Sequence, residues 1–123
     1  MAYLHDDILD AAASFISTNT ENLYITSAEP TTYAEAQDTY KLGTKATPGF
    51  TGPADGDVSG RKITVDAITD GVVDGTDTAT HWALTDNSVT KLLAVGALDS
   101  PQGVTSGNTF TLEAFDIEFP DAA

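Results

Sequence analysis

Apolar residues recur at two different periods along this chain, three to four residues over the first twenty positions and two residues from Arg61 onward. Leu4, Ile8, Ala12, Phe15 and Ile16 step by three and four and draw one apolar stripe, which predicts an N-terminal helix ending near Thr18 to Thr20. Asp6, Asp7 and Asp10 stand in its first turns, where carboxylates complement the positive end of the helix dipole. Leu23-Tyr24-Ile25-Thr26-Ser27-Ala28 has the aromatic and β-branched content of a short strand, which Glu29-Pro30 stops. Thr32-Tyr33-Ala34-Glu35 is a capping box, so a second, short helix is expected. Lys41-Leu42-Gly43 closes it with a cation in the last turn and a glycine cap.

In the second half, Ile63, Val65 and Ala67 alternate with Lys62, Thr64 and Asp66, the pattern of a strand with one wet face. Thr78 to Thr85 puts Thr80, Trp82 and Leu84 on one face and Ala79, His81 and Ala83 on the other. Asp86-Asn87-Ser88 supplies a turn, and Lys91 to Leu98 returns as the hairpin partner. Between Thr109 and Phe119 the phase shifts by one: Phe110, Leu112 and Ala114 share one phase, Phe115, Ile117 and Phe119 the other. That shift requires a β-bulge or a strand that crosses between two sheets. Residues 43–60 hold five of the ten glycines together with Pro48 and Pro53, which predicts a long exposed loop that binds a ligand or wraps a neighbour. The expected fold class is mainly β (α+β), an antiparallel β-sandwich or rolled sheet with an N-terminal helix and a second short helix. All 123 residues are expected to form a single domain, with helix-strand-helix over 1–42, the Gly/Pro loop over 43–60 and an antiparallel sheet over 61–119.

Charge narrows the partners. Five Lys and Arg against 19 Asp and Glu give a net charge of −14, which repels phosphate backbones and anionic lipid, so no nucleic acid and no membrane partner is expected. Every basic residue lies between Lys41 and Lys91, so a partner contacting either end of the chain should offer positive or neutral surface. The N-terminus lacks the basic and apolar regions of a targeting signal, which leads us to expect a soluble protein made in the cytoplasm of its host cell.

Specific chemistry is sparse. Asp66, Asp70, Asp74 and Asp77, interleaved with Gly71 and Gly75, form the densest acidic stretch, and Asp70, Asp74 and Asp77 are the candidate Ca²⁺ ligands. Asp and Gly are equally the ordinary residues of hairpin turns, so no metal or cofactor is required. His5 and His81 have no zinc-type spacing, and none of the seven serines sits in a G-x-S-x-G elbow. Neither a Walker loop nor a dinucleotide fingerprint occurs. The chain reads as non-enzymatic, with no catalytic residues.

Several segments together resemble small virion-associated structural proteins of tailed bacteriophages. They are residues 1–10 (Met1-Ala2-Tyr3-Leu4-His5-Asp6-Asp7-Ile8-Leu9-Asp10), Ser27 to Ala36, Gly60 to Val65, Ala79 to Leu84, Val104 to Leu112 and Phe115 to Asp121. The resemblance covers nearly the whole chain and implies a virion location. Within it, a head decoration or cement protein is expected. Such a protein binds the outside of the capsid lattice, commonly as a homo-oligomer with a trimer favoured, and braces contacts of the major capsid protein. Tyr3, Tyr40 and Phe50 are the candidate aromatic anchors to that partner. A tail- or fibre-associated protein is the alternative, as is a receptor- or carbohydrate-binding module stacking sugars on Trp82, Tyr24 or Tyr33.

Overall fold

The computed structural model describes residues 5–57 and 59–119. Over these the fold is mainly β and antiparallel throughout, with an N-terminal helix and one further helical turn, as the sequence predicts. The chain divides into two compact units, neither continuous in sequence. One contains the N-terminal helix, Gly49–Ala67 and the last strand; the other contains Thr20–Pro48 and Ile68–Leu112. These boundaries do not follow the three consecutive stretches of the sequence pattern.

In the first unit, helix α1 (Asp6–Asn19) lies on a three-stranded sheet in the order β3 (Phe50–Asp55), β4 (Arg61–Val65), β9 (Phe115–Phe119). The sheet contributes buried Ile63 and Val65, and the helix contributes Leu9, Ala13 and Ile16. This corrects the stripe drawn from the sequence. Of its members only Ile16 is buried; Ile8 and Phe15 are 56% and 54% exposed, and Leu4 lies outside the described residues. The apolar arc of α1 is wider than one contact face, and the Arg61 guanidinium grips Asp10 at 2.7 Å on one flank, turning Leu9 and Ala13 inward. Ala13 is small and fully buried, which lets the helix approach the sheet closely.

Residues 43–60 are not a loop. β2 (Lys41–Ala46) and β3 take up most of them. Edge strand β3 tolerates its glycine and proline because it pairs on one side only, and Gly52-Pro53 falls where the register shifts between Thr51 and Ala54. The second helix is likewise reduced to one π-helical turn, Glu35–Thr39, closed by the Tyr40 N–H donating to the Glu35 carbonyl at 2.8 Å. Half of the capping box forms as expected, since the Glu35 N–H donates to the Thr32 hydroxyl at 3.1 Å. The Glu35 carboxylate instead reaches one residue further back and accepts from the Thr31 N–H and hydroxyl, each at 2.8 Å. Lys41-Leu42-Gly43 opens β2 and caps nothing.

The second unit is a six-stranded sheet in the order β7 (Lys91–Val104), β6 (Asp77–Asp86), β1 (Asn22–Thr26), β2, β5 (Ile68–Val73), β8 (Thr109–Leu112). Central strand β1 is buried from Leu23 to Thr26, so both faces are covered there. Across one face, cross-strand register aligns Gly96, Trp82, Ile25, Gly43 and Val73 in a row. On the other face Tyr24 and Ala83 pack against Ala36 of the π-helical turn, with Leu92 and Val95 beside them. The hairpin β6–β7 and its turn form as read from the sequence. The phase shift near the C-terminus also resolves: the chain leaves β8 of the six-stranded sheet, crosses Glu113-Ala114, and enters β9 of the three-stranded one.

Two aromatic rings in the larger sheet lie on glycines directly opposite them. Trp82 pairs with Gly96 and Phe110 with Gly71, and the Phe110 ring extends over Gly43 as well. Phe110 is 1% exposed. A methyl group on Gly71 would fall inside that ring, whereas one on Gly103 would meet nothing. Gly71→Ala is therefore expected to destabilise the protein by about 1–3 kcal/mol. Gly103→Ala is expected to change stability by no more than about 0.5 kcal/mol. Urea denaturation of the two variants measures both.

The turn between β6 and β7 contains a strained position. Thr90 adopts φ 53°, a left-handed conformation that β-branched residues avoid. Thr90→Gly is expected to raise stability by about 0.5–1 kcal/mol, read as an increase in the denaturation midpoint at unchanged m-value.

Candidate functional site

Most of the basic residues are paired with the protein's own aspartates. Arg61 holds Asp10 through Nε at 2.7 Å and Asp55 through Nη1 at 2.6 Å. Lys62 binds Asp57 at 2.8 Å and Asp116 at 3.2 Å, and Asp116 also accepts from the Thr64 hydroxyl at 2.7 Å. In the larger unit Lys41 sits 2.9 Å from Asp74 and Lys45 3.0 Å from Asp70. Four of the five basic residues are thereby bound to the protein's own aspartates.

These pairs engage two of the three calcium candidates. Asp70 and Asp74 each face a lysine ammonium, and Asp77 accepts the Thr78 N–H at 2.7 Å. Among the described residues no three acidic or imidazole side chains gather in a way that holds a metal ion, so Asp70, Asp74 and Asp77 are not brought together as ligands. His81 takes part in a 2.8 Å hydrogen bond with the Thr80 hydroxyl and lies 4.0 Å from Glu29.

The aromatic candidates are scattered. Tyr3 lies outside the described residues. Phe50 is half-buried at the start of β3, opposite Val65. Tyr40 is half-buried after the π-helical turn, and its backbone carbonyl accepts the Ser27 N–H at 3.0 Å. The two are in different units. Trp82 and Tyr24, considered for sugar stacking, are 9% and 4% exposed and belong to the sheet interior; Tyr33 is half-buried.

The outward face of α1 presents what the sequence reading missed. Ile8, Ala12 and Phe15, at spacing i, i+4, i+7, stand one above another in solvent, with Ala11 beside them. Asp6 and Asp7 border this face at its N-terminal end, and the last turn carries no basic residue. Both helix ends are held. At the start, the Asp7 N–H donates to His5 Nδ1 at 3.0 Å and the Ile8 N–H to the His5 carbonyl at 2.9 Å. At the end, the Asn19 side-chain amide donates to the Phe15 carbonyl at 2.8 Å. The Arg61–Asp10 contact ties the helix to β4 on the flank of the exposed stripe. One signal was legible: the apolar positions Ile8, Leu9, Ala12, Ala13, Phe15 and Ile16 span more than one face can bury.

No family model, no curated protein and no solved structure matches this chain.

Three carboxylates are held below their ordinary range by donors around them: Asp116 chiefly by the Thr64 hydroxyl and then Lys62, Glu35 by the Thr31 N–H and hydroxyl, Glu21 by Ser88. A depressed folded-state value means the unfolded chain takes up protons first as pH falls. The stability these groups contribute is complete above the ordinary carboxylate range and is lost as pH drops from about 4 through the lowered values. Asp116→Asn is expected to flatten this acid limb, measured as a smaller decline in melting temperature between pH 5 and pH 3 than in the unmodified protein (roughly the window where carboxylates titrate).

Proposed function

We propose that this chain is a non-enzymatic structural protein of a bacteriophage virion. In this reading it is a head decoration protein that binds the outside of the capsid lattice as a homo-oligomer, with a trimer favoured, and braces contacts of the major capsid protein. The observation that carries the reading is the charge architecture. With net charge −14 and four of five cations already paired with the protein's own aspartates, the surface left for a partner is acidic, with exposed apolar residues such as Ile8 and Phe15 set in it. Such a surface suits a neutral or basic protein shell and disfavours phosphate-bearing partners. The segments that resemble tailed-phage virion proteins run from residues 1–10 to Asp121 and support the same assignment.

A tail-associated role is the second reading within the virion. A sugar-binding module is less well supported, because Trp82 and Tyr24 are interior residues and offer no stacking face. Cryo-electron microscopy of the virion that carries this chain separates these readings. The expected result is density for the chain repeating over the head lattice; density confined to the tail contradicts the decoration assignment.

A further inference from the structure

We infer that the outward face of α1, carrying Ile8, Ala12 and Phe15, is the docking surface of this protein, and that it seats in an apolar groove bordered by lysine or arginine side chains on the shell protein. The inference rests on the virion reading above and names the surface and the chemistry through which it acts.

Three observations lead there. First, two large apolar side chains more than half exposed, Ile8 at 56% and Phe15 at 54%, flank an exposed alanine on the same helix face. Two knobs with a small residue between them form the ridge that helix-in-groove recognition uses. Secondly, the ridge is fixed before any partner arrives. His5 and Asn19 satisfy the helix ends, and Arg61 pins Asp10 on the flank of α1. Little ordering cost then opposes docking.

Thirdly, charge selects the partner. α1 contains Asp6, Asp7 and Asp10 and no basic residue. A second copy is a poor occupant in either orientation. Parallel pairing sets the N-terminal aspartates of both helices side by side; antiparallel pairing sets them against the negative dipole end of the other helix, where no cation waits. A groove with a basic border supplies apolar cover for Ile8 and Phe15 and counter-charge for Asp6 and Asp7 together.

The test uses virion particles assembled without this chain, to which purified protein is added back and its occupancy measured against salt concentration. The unmodified protein is expected to bind, more weakly as salt rises. The double variant Ile8→Asp with Phe15→Asp is expected to lose at least about ten-fold in affinity, and Ala12→Glu, a change to another good helix former at an exposed position, to lose affinity likewise. Val89→Asp, an equally exposed apolar residue in the β6–β7 turn, is expected to bind as the unmodified protein does. Asp6→Asn with Asp7→Asn is expected to bind less tightly and with a shallower salt dependence. Melting temperatures within a few degrees of the unmodified protein confirm that the α1 variants fold.

Full binding by folded Ile8→Asp/Phe15→Asp and by Ala12→Glu overturns the docking surface and leaves the virion reading standing. Binding indifferent to salt overturns the basic border. Dissociation of the free oligomer by the α1 variants shows a self-interface and overturns the choice of partner. Failure of the unmodified protein to bind overturns the virion reading, and this inference falls with it.

Discussion

Arg61 occupies the first position of β4 and reaches out to two carboxylates, one on helix α1 and one at the end of β3. Its side chain is 19% exposed and that of Asp10 30%, so the pair is partly shielded from the solvent that makes most surface ion pairs weak. The consequence is geometric. α1 carries an apolar arc broad enough to be buried along either of two lines, and hydrophobicity alone does not choose between them. The rotation observed is the one that brings Asp10 to Arg61: Leu9, Ala13 and Ile16 lie on the sheet side with Ile63 and Val65, and Ile8 and Phe15 are left outside. The surface this protein offers at its N-terminal helix thus goes with a contact to a strand residue some fifty positions away in sequence.

The same economy of cations shapes the remaining surface. A chain of this charge uses its few basic residues to hold its own aspartates: Lys62 between Asp57 and Asp116, Lys41 and Lys45 on Asp74 and Asp70. The two lysines of the larger unit pair with Asp74 and Asp70, aspartates that sequence spacing alone groups into a calcium site. The acidic residues that remain outnumber any free cation, which is the physical ground for preferring a basic protein surface as partner.

Much of the β architecture was legible because period-two alternation reports burial directly. Ile63 and Val65 are buried as their alternation with Lys62 and Thr64 requires, and the one-residue slip after Ala114 marks the point where the chain changes sheets. Glycine was the misleading signal. Gly43 and Gly71 sit beneath the Phe110 ring and Gly96 beneath Trp82, so these glycines make room for aromatic rings within strands, whereas sequence reading assigned Gly43 to a loop. Gly52-Pro53 was read as loop because its edge position, with pairing on one side only, is a property of the assembled sheet. The helix stripe was misplaced for a related reason, since the residue that sets its rotation is not local. As for the site, Tyr40 and Phe50 were chosen for aromatic character and prove half-buried, while the exposed pair Ile8 and Phe15 was hidden inside an assumed core face.

The rotation of α1 is the central claim, and the absence of native cysteine makes it directly measurable. Single cysteines placed at Ile8, Leu9, Phe15 and Ile16 can be titrated with a thiol reagent in the folded protein. The structure predicts fast labelling at positions 8 and 15 and protection at positions 9 and 16. Protection at 8 and 15 with labelling at 9 would return the helix to the face drawn from sequence periodicity and contradict the account.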